Sequence, residues 1–275
     1  MTTLGNIELS QPNKSYFETF CDPDMDLQKP FDAAVITPSL LRPALKAAIQ
    51  SVFKQERTGR IQMLIGVDKP QDSEIDLSDF VEGRPSNVSV SFFYPGYSTS
   101  VRHGGLHPAC DGGTLRCMLS YMANSRYLAY LDDDNWWAKN HLADLKSAIK
   151  NNAWAYSLRW YVHPESLHPI CIDEWESVGP DKGVFKKKFG GFVDPNCLMV
   201  NKSKTDTVLR LWNIPPLLNK KGMAADRGVF AGLCRISKGN SSLQASSYYV
   251  LDPLDENHQG RLGLMGQAYD KAASP

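Results

Sequence analysis

Short apolar runs of strand length follow one another over residues 31–150. They are rich in β-branched and aromatic residues and lie at 33–37 (AAVIT), 61–67 (IQMLIGV), 88–94 (VSVSFFY) and 127–131 (YLAYL). Amphipathic segments at 43–54 and 141–150 predict helices, and a further helix is expected at 114–123. This order predicts right-handed crossovers and an α/β fold, with a Rossmann-like, mostly parallel central sheet flanked by helices.

The second half of the chain has a less regular pattern. Beyond Trp154, aromatic residues, prolines and the basic run at 186–188 precede a predicted short strand at 197–200 (CLMV) and helices at 203–212 and from about Ala224. No Gly/Ser-rich or Pro-rich linker separates the halves, so we expect a single domain over 31–265. Residues 1–30 and 266–275 are polar and weakly patterned, which predicts an N-terminal extension and a C-terminal tail.

Composition excludes several classes of protein. Of the 275 residues, 42% are hydrophobic, and 30 basic residues balance 30 acidic ones, so no net charge recruits nucleic acid or an anionic membrane. The six cysteines form no CxxC pair, which argues against a disulfide scaffold or a zinc ribbon. No apolar run approaches the roughly 20 residues that span a bilayer, and the first residues lack the basic head and apolar core of a secretory signal. We therefore expect a cytoplasmic protein without a transmembrane segment.

Three aspartates and an asparagine (DDDN) directly follow the strand YLAYL. Ligands of open α/β sheets bind beyond the carboxyl ends of the strands, which makes Asp132, Asp133 and Asp134 candidate ligand contacts. Adjacent carboxylates repel one another unless a cation is present, and Mg²⁺ or Mn²⁺ prefers carboxylates together with phosphate oxygens. The alternative is a cap for a helix beginning near Ala138, although one Asp or Asn usually serves that purpose.

The segment YLAYLDDDN resembles the DxD-type motif of the family-2 glycosyltransferases, which have the GT-A fold and move a sugar from a nucleotide donor. Other segments resemble landmarks of that family in its order: AAVITPSLLRPALKAAIQSVFKQ, LIGVDKPQD, LRCMLSYMANSRYLAYLDDD, GGFVDPNCLMVNKS and AADRGVFAGL. The resemblance covers about residues 31–235. It departs from the family at Arg116-Cys117-Met118-Leu119, where Arg-Asn-x-Gly is common, and at Ala225, where glutamate is usual.

The resemblance implies a GT-A-like domain with a nucleotide-binding half at 31–137 and an acceptor-side half at 138–265. It implies that Asp134 binds the metal, with His258 as a second candidate, that Asp133 and Asp132 bind the ribose, and that Asp226 is the catalytic base. The remaining nucleotide-binding candidates are Thr37, Pro38, Ser39, Asp68, Arg102 and Arg116, and the acceptor or sugar candidates are Trp136, Gly191 and Asp194.

Several of these assignments have a plainer alternative. Pro38, Ser39 and Asp68 suit turns, and Asp226 suits the N-terminus of a helix. A tryptophan after the aspartates can stack on a sugar or pack in the core, and His258 can be a surface histidine. Arg42 is a further candidate for a phosphate or base contact, like Arg102 and Arg116.

The sequence therefore predicts a metal-dependent, inverting glycosyltransferase that uses Mn²⁺ or Mg²⁺. We expect a UDP-, GDP- or dTDP-sugar donor and a glycan or another hydroxyl acceptor. One alternative is a sugar-nucleotide nucleotidyltransferase, whose usual Gly-rich first loop is missing from TPSLLRP. The other is a catalytically silent nucleotide- or glycan-binding protein of the same fold, which Ala225 leaves open.

Overall fold

The structure of the protein, a computed structural model, describes residues 15–69, 76–108, 112–214 and 225–273. The strands are β1 (Tyr16–Phe20), β2 (Ala33–Ser39), β3 (Ile61–Val67), β4 (Val88–Tyr94), β5 (Tyr127–Tyr130), β6 (Trp136–Trp137), β7 (Trp154–Val162), β8 (Pro169–Ile172), β9 (Gly179–Pro180), β10 (Gly191–Phe192), β11 (Leu198–Asn201) and β12 (Asn240–Val250). The α-helices are α1 (Leu45–Phe53), α2 (Gly113–Met122), α3 (His141–Ile149), α4 (Lys186–Phe189), α5 (Asp206–Leu209), α6 (Asp226–Ile236), α7 (His258–Met265) and α8 (Gln267–Ala273).

One large mixed sheet organises the domain. Its strand order is β1-β4-β3-β2-β5-β11-β7-β12-β6, with β8 also paired to β7. The strands β4, β3, β2 and β5 run parallel, as does the pair β7 and β12. In contrast, β11 is antiparallel to both of its neighbours. The predicted α/β fold with a central sheet flanked by helices is thereby confirmed.

The parallel strands are buried on both faces, which explains their continuous apolar sequences. Successive side chains of β2 point to opposite faces, so Val35 packs with Ile49 of α1 and Leu145 of α3. Its neighbour Ile36 belongs to the cluster on the other face, which includes Phe230 of α6. The helices on both faces thus fix the position of the strand ends that carry the candidate site.

Some predicted elements match the structure in extent, and others differ from it. The strands predicted at 61–67 and 88–94 coincide with β3 and β4. The helix predicted at 203–212 is a short α5 followed by a 3₁₀ helix at Arg210–Asn213. The two tryptophans after the aspartates form β6, which pairs with β12, so the helix there begins only at His141. Ala224, where a helix start was expected, lies outside the described residues, and α6 begins at Asp226.

The described residues near both ends of the chain form secondary structure. Within the expected N-terminal extension, β1 pairs with β4, and Phe20 packs edge-on against Phe92 at 6.0 Å between ring centroids. Within the expected tail, α8 packs near β8, with Tyr269 4.7 Å from the ring of His163. The described parts of these segments therefore pack against the domain. No helix within the described ranges combines the length and the apolar content needed to cross a bilayer.

Candidate active site

A cavity of about 350 Å³ opens at the carboxyl ends of β2, β3 and β5. The predicted site residues that line it are Pro38, Ser39, Asp68, Arg102, Arg116, Asp132, Asp133 and Asp134. Leu40, Arg42, Ser100, His103, Gly112 and Asp252 also line it. Thr37 is fully buried within β2 and is not part of this lining. The structure therefore brings most of the predicted nucleotide contacts to one place.

Asp132 is held by two buried partners. Its Oδ1 pairs with the guanidinium of Arg116, and its Oδ2 accepts a hydrogen bond from Asn196 Nδ2 at 2.8 Å. The backbone N–H of Asp132 donates to Asn196 Oδ1 at 2.7 Å. Because Asn196 bonds both the backbone and the carboxylate, it fixes the direction in which the chain leaves β5.

Asp133 points back toward the end of β2. Its Oδ2 accepts from Ser39 Oγ at 2.8 Å and from the Leu40 N–H at 3.3 Å, and its Oδ1 pairs with Arg42. The side chain is 5% exposed, so these bonds compensate for the loss of water. Asp133 thus joins the first and the fourth predicted strands at the cavity.

Asp134 is the most exposed carboxylate of the three, with 43% of its side chain accessible. Its Oδ2 lies 3.1 Å from the Arg42 guanidinium. Desolvation, followed by the charges of Asp132 and Asp133, raises the pKa of Asp134 to about 6, although Arg42 opposes this shift. The part of this shift that comes from Asp132 and Asp133 reflects repulsion between neighbouring carboxylates, which an added cation would reduce.

The carboxylate of Asp68 forms its side-chain hydrogen bonds with the loop that follows β4. Its oxygens accept from Ser98 Oγ at 2.9 Å and from the N–H and hydroxyl of Thr99 at 2.8 and 2.9 Å, and Oδ2 lies 2.7 Å from His103 Nδ1. Burial favours a higher pKa, but the bonds from His103, Thr99 and Ser98 outweigh it and lower the pKa of Asp68. In this arrangement Asp68 positions the loop that presents Arg102 to the cavity.

The predicted base, Asp226, is the first residue of α6 and lies apart from the cavity lining. It borders a narrow apolar crevice with Val193, Trp212 and Phe230. Burial, together with the charge of Asp194, raises the pKa of Asp226 to about 6, and Arg227 and Arg116 act in the opposite direction. A carboxylate with this pKa is suited to accept a proton near neutral pH.

Asp194 is committed to a buried ionic cluster. Its Oδ2 accepts from Arg159 at 2.6 Å, and its Oδ1 accepts from Asn196 Nδ2 at 2.7 Å. Arg159 is 1% exposed and also pairs with Asp173 and Glu176, both at 2.8 Å. A sugar contact of Asp194 stays a prediction. In the structure, the two carboxylate oxygens of Asp194 link Arg159 to Asn196.

Sequence reasoning did not assign a role to Arg159 or Asn196. The one available signal for Arg159 is a charged residue inside the aromatic run WAYSLRWYV, where a buried partner is required. Asn196 gives no such signal, because its partner Asp132 is 64 residues away in sequence.

The two tryptophans occupy different environments. Trp137 is buried, donates its indole N–H to the Asn196 carbonyl at 2.8 Å and stacks on His141. Trp136 is partly exposed and stacks on Tyr248 with 5.6 Å between ring centroids. Trp136 is therefore the one of the two whose ring can also meet a ligand.

A divalent cation fits this site through Asp134. Mg²⁺ commonly takes one or two carboxylates and completes its shell with phosphate oxygens and water. Asp134 offers an accessible carboxylate on the cavity wall. His258 instead is buried beside Tyr269, and within the described ranges no group of three or more His, Cys, Asp or Glu side chains is arranged to hold a metal. The cation would therefore need ligands from the substrate, and a metal contact of His258 stays a prediction.

Gly191, a predicted acceptor contact, has a backbone role in the structure. It has φ of +103° in β10, and a Cβ there would lie 2.3 Å from the Gly179 carbonyl oxygen. We expect Gly191→Ala to lower the free energy of unfolding by about 3 kcal/mol in a urea titration, through backbone strain and this clash.

The adjacent Gly190 is the matched control for that substitution. It has φ of +74° but open space where a Cβ would be. Gly190→Ala should therefore cost only the left-handed strain of about 1–2 kcal/mol. Equal losses for the two variants would show that the contact with Gly179 has no energetic weight.

No family model matches the chain, and no curated protein matches it in sequence. Solved structures do match it in fold. S. aureus TarS 1–349 has a TM-score of 0.56 at 12% identity, covering 88% of this chain and 70% of that one. Its complex with UDP-GlcNAc has a TM-score of 0.57 at 11% identity, covering 86% and 66%.

A mannosyltransferase from Pyrobaculum calidifontis, PcManGT, in complex with GDP-Man and Mn²⁺, has a TM-score of 0.52 at 10% identity, covering 90% of this chain and 67% of that one. The chain spans 38% of the longer TarS structure. At these identities the likeness concerns the fold. The chain has the GT-A-like α/β fold that these proteins share.

Proposed function

We propose that this protein is an inverting glycosyltransferase that moves a sugar from a nucleoside-diphosphate donor to a hydroxyl group of an acceptor. The observation that carries the proposal is the cavity in which Asp132, Asp133 and Asp134 face arginines at the carboxyl edge of the sheet. Carboxylates suit a cation and ribose hydroxyls, and guanidinium groups suit a diphosphate. A nucleotide sugar carries all of these binding partners in one molecule.

The motif order and the solved structures support the same reading. The sequence resembles the family-2 glycosyltransferases, and the similar structures hold UDP-GlcNAc in TarS and GDP-Man with Mn²⁺ in PcManGT. We therefore propose a UDP- or GDP-sugar as the donor and Mn²⁺ or Mg²⁺ as the cofactor.

Donor binding is assigned to the cavity wall. Arg102 and Arg116 would contact the diphosphate, Asp133 the ribose, and Pro38 and Ser39 the base. Asp134 would hold the divalent cation, which when bound supplies positive charge to the departing diphosphate as a Lewis acid. Trp136, stacked on Tyr248, offers an aromatic face for a sugar ring of the acceptor.

The transfer itself is assigned to Asp226. Its carboxylate accepts the proton of the acceptor hydroxyl, and the hydroxyl oxygen forms a bond to the anomeric carbon of the donor. The bond from that carbon to the β-phosphate oxygen breaks, and its electron pair leaves with the nucleoside diphosphate. A pKa of about 6 keeps Asp226 largely ionised at neutral pH while leaving it able to take a proton.

A donor panel tests this proposal. The purified protein is incubated with UDP-GlcNAc, UDP-glucose, GDP-mannose or dTDP-glucose, with Mn²⁺ or with EDTA, and phosphate-containing products are separated by chromatography. We expect one donor to release its nucleoside diphosphate slowly by hydrolysis when no acceptor is present. In a parallel incubation with added pyrophosphate, conversion of the donor to a nucleoside triphosphate and a sugar 1-phosphate would instead identify a nucleotidyltransferase. Donor binding by calorimetry without any turnover would identify a silent binding protein.

A further inference from the structure

Arg42 bridges two of the three aspartates. Its guanidinium pairs with Asp133 Oδ1 and lies 3.1 Å from Asp134 Oδ2, with its Nε 3.5 Å from Asp133 Oδ2. It follows β2 and precedes α1, and its side chain is 40% exposed on the cavity wall. A single cation thus compensates two of the carboxylates on the wall of the proposed donor cavity.

The two contacts of Arg42 are unequal. Asp133 is nearly buried and is also held by Ser39 and Leu40, so its position does not depend on Arg42 alone. Asp134 is 43% exposed, and among the residues that the structure describes its carboxylate has Arg42 as its hydrogen-bond partner. The contact with Asp134 is therefore the one that another cation can replace at low cost.

The other arginine that pairs with the aspartates does not share this property. Arg116 is 7% exposed and bonds Asp132, which Asn196 also holds. Displacing Arg116 would leave a buried charge, whereas Arg42 can turn toward the cavity and stay in water. An arginine cannot lose its proton near neutral pH, so its competition with a metal persists wherever the protein is folded.

We propose that Arg42 and the divalent cation compete for Asp134, and that this competition makes metal binding depend on the nucleotide. This inference rests on the proposed function. Without nucleotide, Arg42 satisfies Asp134 and weakens the binding of free metal. When a nucleoside diphosphate is bound, its phosphate oxygens offer the guanidinium a new partner, Arg42 keeps Asp133, and Asp134 becomes available to the metal. By linkage, metal and nucleotide then strengthen each other's binding by the same factor.

A Mn²⁺ titration tests the competition directly, because the electron paramagnetic resonance signal of free Mn²⁺ reports binding without any turnover. The protein is titrated alone, with UDP and with GDP. For the unaltered protein we expect weak binding of Mn²⁺ alone and much tighter binding with one nucleotide. For Arg42→Gln we expect Mn²⁺ alone to bind about two- to fivefold tighter, as removal of one partly exposed ion pair predicts. The strengthening by nucleotide should shrink in the same variant.

Two further variants keep the test interpretable. Arg42→Lys retains a cation for Asp133 but cannot span both carboxylates, so its affinity for Mn²⁺ alone should lie between those of the unaltered protein and Arg42→Gln. Lys46→Gln removes a positive charge from α1 that pairs with exposed Glu82 at 3.3 Å, and it should leave Mn²⁺ binding unchanged. Circular dichroism confirms that each variant is folded.

Unchanged or weaker binding of Mn²⁺ alone by folded Arg42→Gln and Arg42→Lys overturns the competition, as does an equal gain in Lys46→Gln. Absence of Mn²⁺ binding to every variant, with or without nucleotide, also overturns it. If the donor is nevertheless turned over in EDTA, the proposed sugar transfer still holds without the metal competition. If no donor is turned over, the Mn²⁺ titration still decides whether Arg42 competes with the metal.

Discussion

Asp226→Asn is expected to lower the rate of sugar transfer by roughly 10²- to 10⁴-fold, the range typical for loss of a general base. Asparagine has nearly the same shape but cannot accept the proton of the acceptor hydroxyl. Asp226 lies outside the cavity that holds the proposed nucleotide contacts, so nucleotide binding measured by calorimetry should be unchanged. Loss of binding and turnover together would contradict the assignment.

The pH profile gives a second readout of the same residue. Because the active form of Asp226 is ionised and its pKa is about 6, activity should rise as the pH increases through about 6 and level off above it. The pKa of Asp134 is also about 6, so the part of the step that belongs to Asp226 should be missing from the residual activity of Asp226→Asn, whereas any part that reflects protonation of Asp134 should remain. Asp206→Asn, at the first residue of α5, is a matched control for a plain helix-terminal aspartate and should keep both the rate and the step.

Stability should change in the opposite direction to activity. The pKa of Asp226 is raised in the folded state, so folding favours its protonated form. Below about pH 4 the group is protonated in both states and costs nothing, whereas above about pH 6 it is ionised in both and destabilises the fold. Asp226→Asn should therefore be more stable than the unaltered protein by about 1–3 kcal/mol at pH 8 and similar to it near pH 4. A catalytic group held at such a cost is a familiar compromise between activity and stability.

The parts of the fold with a continuous apolar sequence could be predicted from the chain. In β3 and β4, burial on both faces requires apolar residues at nearly every position, and the predicted bounds match the structure. β7 and β12 escaped prediction because polar residues interrupt their own apolar patterns. Ser157 and Arg159 interrupt β7, and β12 reads NSSLQASSYYV, yet Ser247 is fully buried against the neighbouring strands.

The candidate site likewise has features that the sequence predicts and features that it does not. The strand-end position of Asp132, Asp133 and Asp134 follows from local sequence and places all three on one cavity. Which partner each carboxylate takes depends on residues 16 to 94 positions away, and no local pattern encodes such pairings. The local sequence also does not show where His258 lies. Its ring packs against Tyr269, and it is not part of the cavity lining.

Arg159→Met is expected to lower the free energy of unfolding by about 3–5 kcal/mol, the usual cost of removing one partner from a buried ionic cluster. The carboxylates of Asp173, Glu176 and Asp194 bond Arg159 at 2.6 to 2.8 Å and are almost inaccessible to water. Methionine fills much of the space but leaves these charges without their cation. A urea titration at pH 7 measures the loss.

The control is an exposed ion pair. Lys139 lies 3.0 Å from Glu56, and both side chains are more than half exposed. Lys139→Met should therefore change stability by less than about 1 kcal/mol. A loss for Arg159→Met no larger than this would show that Arg159 does not hold the cluster together.

The dependence on pH separates a charge effect from a packing effect. Burial favours a higher pKa for Asp173, but Arg159 and the backbone N–H groups of Glu176, Ser177 and Trp175 outweigh it and lower the pKa. Stabilisation by this pair is therefore complete above the unfolded pKa of about 4 and is lost as the pH falls through the lower folded value. The gap between the unaltered protein and Arg159→Met should narrow in acid, whereas a simple packing defect would keep it constant. Because Asp194 joins Arg159 to Asn196 and thus to Asp132, the variant should also weaken nucleotide binding at a site it does not touch.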